Sequence, residues 1–296
     1  MSNLKEVRTR IASVKSTQQI TSAMKMVAAS KLRRAQNAIL KLRPYANKMN
    51  EILKNLNSSL ENGDDSPYSQ MREPRKVLLV VIASNRGMCG AFNSNIIKMA
   101  NTLINEKYAA LSHSGNLELI CIGRKASDFY KKKNIKVVAV LDQLFDNLTF
   151  DNVAPVAEQL MKYFTAGEYD RIELVYNQFK NAAVQRLINE QYLPIAQAEP
   201  TAMVKTNGKA DYIFEPGKKE IVEQLIPKSL RIQLYKALLD SFASEQGARM
   251  TAMHQATDNA SELLKSLTIA YNNARQTAIT NEILEIVSGA NALKKS

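Results

Sequence analysis

The last quarter of the chain constrains everything before it. From about Lys218 to Leu293 no proline follows Pro227, and only Gly247 and Gly289 interrupt a helix-favouring run. Small and apolar residues recur at alternating four- and three-residue steps: Leu230, Leu234, Ala237, Ser241, Ser244 and Ala248. The rhythm returns at Ala256, Ala260, Leu263, Leu267, Ala270 and Ala274, then shifts to Ile279, Ile283, Ile286, Ala290 and Leu293. That is a coiled-coil seam whose small residues admit a second helix closely. At ~1.5 Å per residue, roughly 70 helical residues reach on the order of 100 Å, more than one domain core needs. The run requires a partner helix.

The other end of the chain supplies one. Asn3 with Glu6 resembles a capping box. A heptad seam then runs from Leu4, Val7, Ile11 and Val14 through Ala28, Leu32, Ala35 and Ile39 to Leu53, Leu56 and Leu60. Only Gln18, Thr21 and Lys25 break it. The pattern predicts one helix to about Leu60, antiparallel to the C-terminal helix. Pro44 lies inside it. An interior proline costs ~3 kcal/mol, but the seam resumes in register on both sides, so a local bend is expected. The polar break at Gln18–Lys25, beside Met24 and Met26, has two readings: the helix leaves its partner there to meet another surface, or a long coil tolerates the defect.

Between the helices the period changes. Glu61–Pro74 is a polar, turn-rich linker. Lys76–Ser84 is a β-branched run, read as a buried strand. A helix over Ser94–Leu111, a strand at Leu117–Gly123, a helix at Arg124–Lys133 and a strand at Lys136–Leu141 follow. Next come a helix near Asn152–Ala166 and a strand at Arg171–Phe179, with Val184–Pro194 and Tyr212–Phe214 as candidate edge strands. Alternating strands and helices imply a mainly parallel sheet covered on both faces. The expected architecture is α/β: a long antiparallel two-helix coiled coil (1–62 and 217–296) carrying an inserted Rossmann-like domain (74–216).

Charge is unevenly distributed. Residues 1–60 hold 12 Lys/Arg against 2 Asp/Glu, which accounts for +10 of the net +12. A basic helix suits nucleic acid, anionic lipid or an acidic protein surface, and composition leaves all three open. No apolar run approaches the ~20 residues a membrane span requires, and the first residues lack a signal-peptide core. Cys89 and Cys121 are too few for a disulfide framework or zinc site, and His113 and His254 offer little acid–base chemistry.

The loop Asn85–Asn93 (NRGMCGAFN) follows a strand and opens a helix, so Gly87 and Gly90 would let backbone amides face a phosphate. It is not G-x-G-x-x-G and lacks the Walker lysine, which favours a structural turn. Cys89 at a helix N-terminus is a weak candidate for an activated thiol. No Ser/His/Asp or metal-ligand spacing stands out. The reading assigns no catalytic residue, metal or cofactor.

Tyr271–Leu293 is unusual in another way. Arg275, Gln276, Thr280, Glu282 and Glu285 lie on a helix whose remaining surface, with Ile279, Ile283, Ile286 and Val287, is apolar. A helix apolar nearly all round expects to be enclosed, by this chain's own core or by another protein.

Several stretches are similar to one family. IASVKSTQQITSAMKMVAASKLRRAQ (Ile11–Gln36), the RGMCG loop (Arg86–Gly90), ASEQGARMTAM (Ala243–Met253) and YNNARQTAITNEILEIVSGA (Tyr271–Ala290) resemble the gamma subunit of F-type ATP synthases, in the same order along the whole chain. The resemblance implies a coiled-coil axle inside a 3:3 hexamer of alpha and beta subunits. It places the α/β domain near the membrane c ring and the epsilon subunit, and it implies no chemistry in this chain. It implies hexamer contacts at Met24, Lys25, Arg275, Gln276, Thr280, Glu282 and Glu285. Asp211–Pro216 (DYIFEP) resembles the c-ring contact, with Tyr212 and Glu215 contributing. The implied setting is peripheral, on the cytoplasmic face of a bacterial inner membrane, coupling proton (or sodium) flow to ATP synthesis, with no nucleic-acid partner. The basic helix suits an acidic segment of the beta subunits.

Overall fold

The computed structural model describes residues 4–59, 67–133, 135–195 and 218–294. The chain divides into two units, Met1–Ala28 with Met250–Ser296, and Ala29–Arg249. Two long helices pass through both: α1, Leu4–Ser59, and α6, Lys218–Lys294. The first continues unbroken through Pro44 and the second through Pro227.

Within Ala29–Arg249, β1 (Val77–Ile82), β2 (Leu117–Ile122), β3 (Lys136–Val140), β4 (Arg171–Phe179) and β5 (Gln185–Leu193) form one sheet in the order β3-β2-β1-β4-β5. All pairings are parallel except β4 with β5, the antiparallel edge. The expected strand at Val184–Pro194 is β5; the one at Tyr212–Phe214 lies outside the described residues. Each residue of β1 is 0% exposed, as its unbroken apolar run requires of a central strand covered on both faces.

The pleat sends Leu78, Val80 and Ile82 to one side, against α5 (Phe150–Thr165) and the fourth to sixth turns of α6, through Phe164, Leu230, Leu234 and Leu238. Val77, Leu79 and Val81 face the other side, against Phe92, Ile96, Ala100, Ala126 and Tyr130 of α2 (Phe92–Thr102) and α4 (Arg124–Tyr130). The helix expected over Ser94–Leu111 is interrupted: α2 widens into a π-turn at Leu103–Lys107 before α3 (Ala109–His113). In the same unit α1 packs on α6 through Ala46, Met49 and Ile232.

Gly123 joins β2 to α4 at φ 102°, and a Cβ there would stand 2.1 Å from the Ala83 carbonyl oxygen. Only glycine fits.

The α1 seam read from the sequence holds from Leu4 to Met49; the side chains of Leu53, Leu56 and Leu60 lie outside those described. Val7, Thr21, Ala28, Leu32, Ala35, Ile39, Ala46 and Met49 are buried, and the intervening seam positions half-buried. The α6 seam needs a correction. Leu263 and Ala270 are exposed, and Met253, Thr257, Leu264 and Tyr271 point inward, keeping Ala260, Leu267 and Ala274 in common.

Candidate functional site

The inserted domain contains the crevice where an enzyme of this architecture would bind its ligand. In a doubly wound sheet that crevice opens at the carboxyl ends of the strands where the order reverses, here between β1 and β4. In this chain α6 fills it. Ser244 Oγ donates to the Asn177 carbonyl at 3.1 Å, and Gly247 lies so near Ala182 that a Cβ would stand 3.1 Å from its Cα. Arg249 pairs with Glu245 at 2.6 Å and donates to the carbonyls of Arg86 and Gly87 at 3.0 and 3.2 Å. The loop that resembled a phosphate cradle therefore presents carbonyl oxygens to an arginine of its own chain.

The rest of that loop satisfies itself. Asn93 accepts from the Ser84 amide at 3.0 Å and donates to Ser84 Oγ at 2.8 Å, while Asn85 bridges to the Asp142 carbonyl and the Arg124 amide. Met88 and Gly90 take positive φ, which closes the turn. Burial pushes the Cys89 thiol up, against the lowering that Ser84 and Arg249 exert, so it is the reverse of an activated nucleophile. Burial also pushes Glu245 up, with Arg249 opposing.

Two further buried carboxylates lie near the strands' amino ends, away from the crevice. Burial pushes Glu118 and Glu173 up, but bonds from Tyr169, Lys136 and Lys76 to Glu118 hold its carboxyl below the usual range. Lys107, Tyr108 and Asn189 do the same for Glu173. Both are saturated with donors, as buried charges in a structural network are. Among the described residues no His/Cys/Asp/Glu group is arranged to hold a metal ion.

The unit Met1–Ala28 with Met250–Ser296 holds the remaining candidates. The polar break in α1 meets a polar stretch of α6: Gln18 Nε2 donates to Ser261 Oγ at 2.7 Å, and Thr21 and Thr257 hydroxyls pair at 2.9 Å. Lys25 Nζ lies 3.5 Å from His254 Nδ1. Of the two readings, departure from the partner helix is therefore wrong; the break is a hydrogen-bonded layer of the helix pair. Met24 and Lys25 are half-buried beside it.

Continuing that register, Leu4 falls opposite about position 275 of α6. Beyond it α6 has no partner among the described residues: every described side chain from Arg275 to Asn291 is exposed. That stretch includes Ile279, Ile283, Leu284, Ile286 and Val287, between 48% and 66% exposed. Arg275, Gln276, Thr280, Glu282 and Glu285 share it, about 20 to 30 residues, or ~30–45 Å, along the helix from the level of Met24. The structure thus separates the expected site residues into two groups. Tyr212 and Glu215 lie outside the described residues. Sequence reasoning missed Arg249 and Glu245 as the residues that fill the crevice.

A Rossmann-like domain whose crevice is filled by its own helix, and an exposed apolar stretch further along that helix, mark a subunit that engages other chains. The comparisons agree. A family model described as ATP synthase matches residues 3–293. The ATP synthase gamma chain of Cytophaga hutchinsonii is 54% identical over 293 residues, covering 99% of both chains. That of Flavobacterium psychrophilum is 56% identical over 295, covering 99% of this chain and all of the relative. The chain belongs to the ATP synthase gamma chain family. Among solved structures, a chain of the central stalk and c ring of the Tetrahymena thermophila mitochondrial ATP synthase is 27% identical, with TM-score 0.56 over 80% of this chain and 99% of that one. A chain of the Euglena gracilis mitochondrial ATP synthase (OSCP/F1/c-ring) shares the fold at TM-score 0.68 and 21% identity, over 98% of this chain and 94% of that one.

Proposed function

We infer that the chain is the central rotor shaft of a proton-translocating F-type ATP synthase, a non-catalytic subunit that couples rotation of a membrane c ring to conformational cycling of catalytic beta subunits. The observation that carries this reading is the bare end of α6. Five large aliphatic side chains at least 48% exposed on one helix need an apolar sleeve, and each gains roughly 1.5–3 kcal/mol on full burial. A ring of alternating alpha and beta subunits provides such a sleeve.

In this reading Arg275, Gln276, Thr280, Glu282 and Glu285 make the polar contacts of the shaft with the hexamer. Met24 and Lys25 pass an acidic lever of the beta subunits. That lever also meets the cations of α1, of which Arg8, Arg10, Lys15, Lys31, Arg33 and Arg34 are exposed. Residues 1–62 and 217–296 form the axle, and 74–216 the foot. The foot contacts the c ring, with Tyr212 and Glu215 contributing, and the epsilon subunit. Shaft orientation then acts as a ligand that binds the beta conformers unequally, so turning it shifts their populations in sequence.

Torque entering the foot must reach α6. The core packing of α6 on the sheet through Leu230, Leu234 and Leu238, with Ser244 on the Asn177 carbonyl and Arg249 on the two loop carbonyls, forms the joint through which it passes. No helix among the described residues is long and apolar enough to cross a membrane, so attachment to the cytoplasmic face of a bacterial inner membrane runs through the c ring.

Co-purification of a tagged chain from its native membranes tests the reading. Recovery with alpha and beta subunits at three copies each per tagged chain, bearing ATPase activity, is expected. Recovery of the chain alone, or with nucleic acid, would overturn it.

A further inference from the structure

A pocket of about 320 Å³ lies within Ala29–Arg249, walled by α1, β4, β5 and α6. Four cations line it, one from each side: Arg43 of α1, Lys180 just after β4, Arg186 of β5 and Lys236 of α6. All four are exposed, and none forms an ion pair or side-chain hydrogen bond with another described residue. Some other cations of this unit behave differently. Lys76, Lys107, Arg124, Lys136 and Arg231 are each paired with a carboxylate.

The one acid in the wall, Asp240, is 5% exposed, and burial pushes its carboxyl up to about 6 against the attraction of Lys236 and Arg43. The net formal charge of the lining is therefore +3 with Asp240 ionised. Like charges gathered around one concavity repel across low-dielectric walls, and a bound multivalent anion removes that cost. Solvated lysines on a convex face would carry no such penalty.

We propose that this pocket binds a diphosphate group, the chemistry shared by inorganic pyrophosphate and nucleoside diphosphates. Arg43 and Arg186 offer planar forks that match phosphate oxygens bidentately, and Lys180 and Lys236 add point charges. The volume sits at the small end of ligand pockets, enough for one compact anion and too small for a run of acidic peptide. The ring of Phe179 and the amide of Gln178 also line the pocket and give a nucleoside a face to lie on. The proposal is independent of the rotor reading, since it concerns only side chains of this chain.

Titration calorimetry on the full chain, with inorganic pyrophosphate and with ADP in separate experiments at low and physiological salt, tests it. Saturable binding of one anion per chain, weakening as salt rises, is expected. Arg186→Gln with Lys236→Gln should weaken it at least tenfold, and Asp240→Asn should tighten it severalfold because a negative charge leaves the wall. Arg43→Gln with Lys180→Gln gives an independent second variant, and each variant's thermal melt without ligand reports its fold. Tighter binding of ADP than of pyrophosphate would place the nucleoside on Phe179; equal binding would assign the site to the diphosphate alone. Either supports the proposal. It is overturned by no saturable binding of either anion at millimolar concentration, by undiminished binding in both charge variants, or by weaker binding in Asp240→Asn.

Discussion

Replacing Arg249 by Met keeps the aliphatic stem and removes the charge at the joint between α6 and the Asn85–Asn93 loop. Arg249 is 8% exposed and its partner Glu245 6% exposed. The substitution therefore strands a buried carboxylate and deprives the Arg86 and Gly87 carbonyls of their donor. Breaking a buried pair by removing one partner costs about 3–5 kcal/mol, most of it the unpaired charge. Burial already pushes the Glu245 carboxyl up, and losing Arg249 pushes it further. Its folded pKa then stands above its unfolded one. The folded state takes up a proton that the unfolded state does not, so the variant recovers stability relative to the parent as pH falls through that window.

Glu245→Gln in the Arg249→Met background removes the stranded charge and should restore at least about 1 kcal/mol, giving a positive coupling in the double-mutant cycle. Urea unfolding followed by near-UV circular dichroism suits the measurement. The chain has 11 tyrosines and no tryptophan, and Tyr130, Tyr169, Tyr176 and Tyr192 are buried in the α/β unit. A loss below about 1 kcal/mol for Arg249→Met, or a double variant as unstable as the single one, would refute the reasoning.

Four further outcomes follow from the structure. Gly123→Ala should prevent the α/β unit from folding, because its Cβ meets the Ala83 carbonyl at 2.1 Å, and Gly247→Val should destabilise by about 1–3 kcal/mol through overpacking on Ala182; thermal melts check both. Asp240→Asn should stabilise the chain above pH 6. The parent's carboxyl is pushed up from 3.8 to about 6, so the parent loses up to roughly 3 kcal/mol as pH rises through that interval and the variant does not. A stability difference that is flat across the interval would contradict this. Ile283→Asp with Ile286→Asp should leave the melting of the isolated chain within about 0.5 kcal/mol of the parent, since both side chains are exposed, yet abolish recovery with alpha and beta subunits.

What the sequence made legible depended on how far a pattern reaches. The α1 seam repeats over many heptads, so a single misread residue cannot shift it. The buried strands were bounded within a residue or two because β1 is a continuous apolar run, and β2 and β4 are mainly apolar and β-branched or aromatic, between turn signals. In α6 the register from Met253 to Tyr271 was read one residue off at Leu263 and Ala270. There Leu263 and Leu264 are adjacent and equally apolar, and small residues on several faces leave the period underdetermined. The π-turn at Leu103–Lys107 carries no residue that announces it.

The partners of the polar layer were out of reach for another reason. Thr257 and Ser261 lie 236 and 243 positions from Thr21 and Gln18, and a hydrogen bond across that separation leaves no local trace. The same holds for Arg249 and the Arg86 carbonyl, 163 positions apart, whose meeting turns a nucleotide-like loop into a joint. That the end of α6 needs a cover, in contrast, was legible from composition, because an apolar helix in water needs one wherever it is placed; that this chain's described residues leave it bare was not.

The central claim is that this chain turns. Neither Cys89 nor Cys121 is accessible, at 1% and 0% exposure, so a cysteine placed at exposed His113 takes a single visible probe on the foot of a complex held by its beta subunits. On addition of ATP the probe should rotate in one direction and pause at three positions per turn, one for each catalytic beta subunit. A complex that hydrolyses ATP at the full rate while the probe stays still, or wanders without direction, would contradict the account.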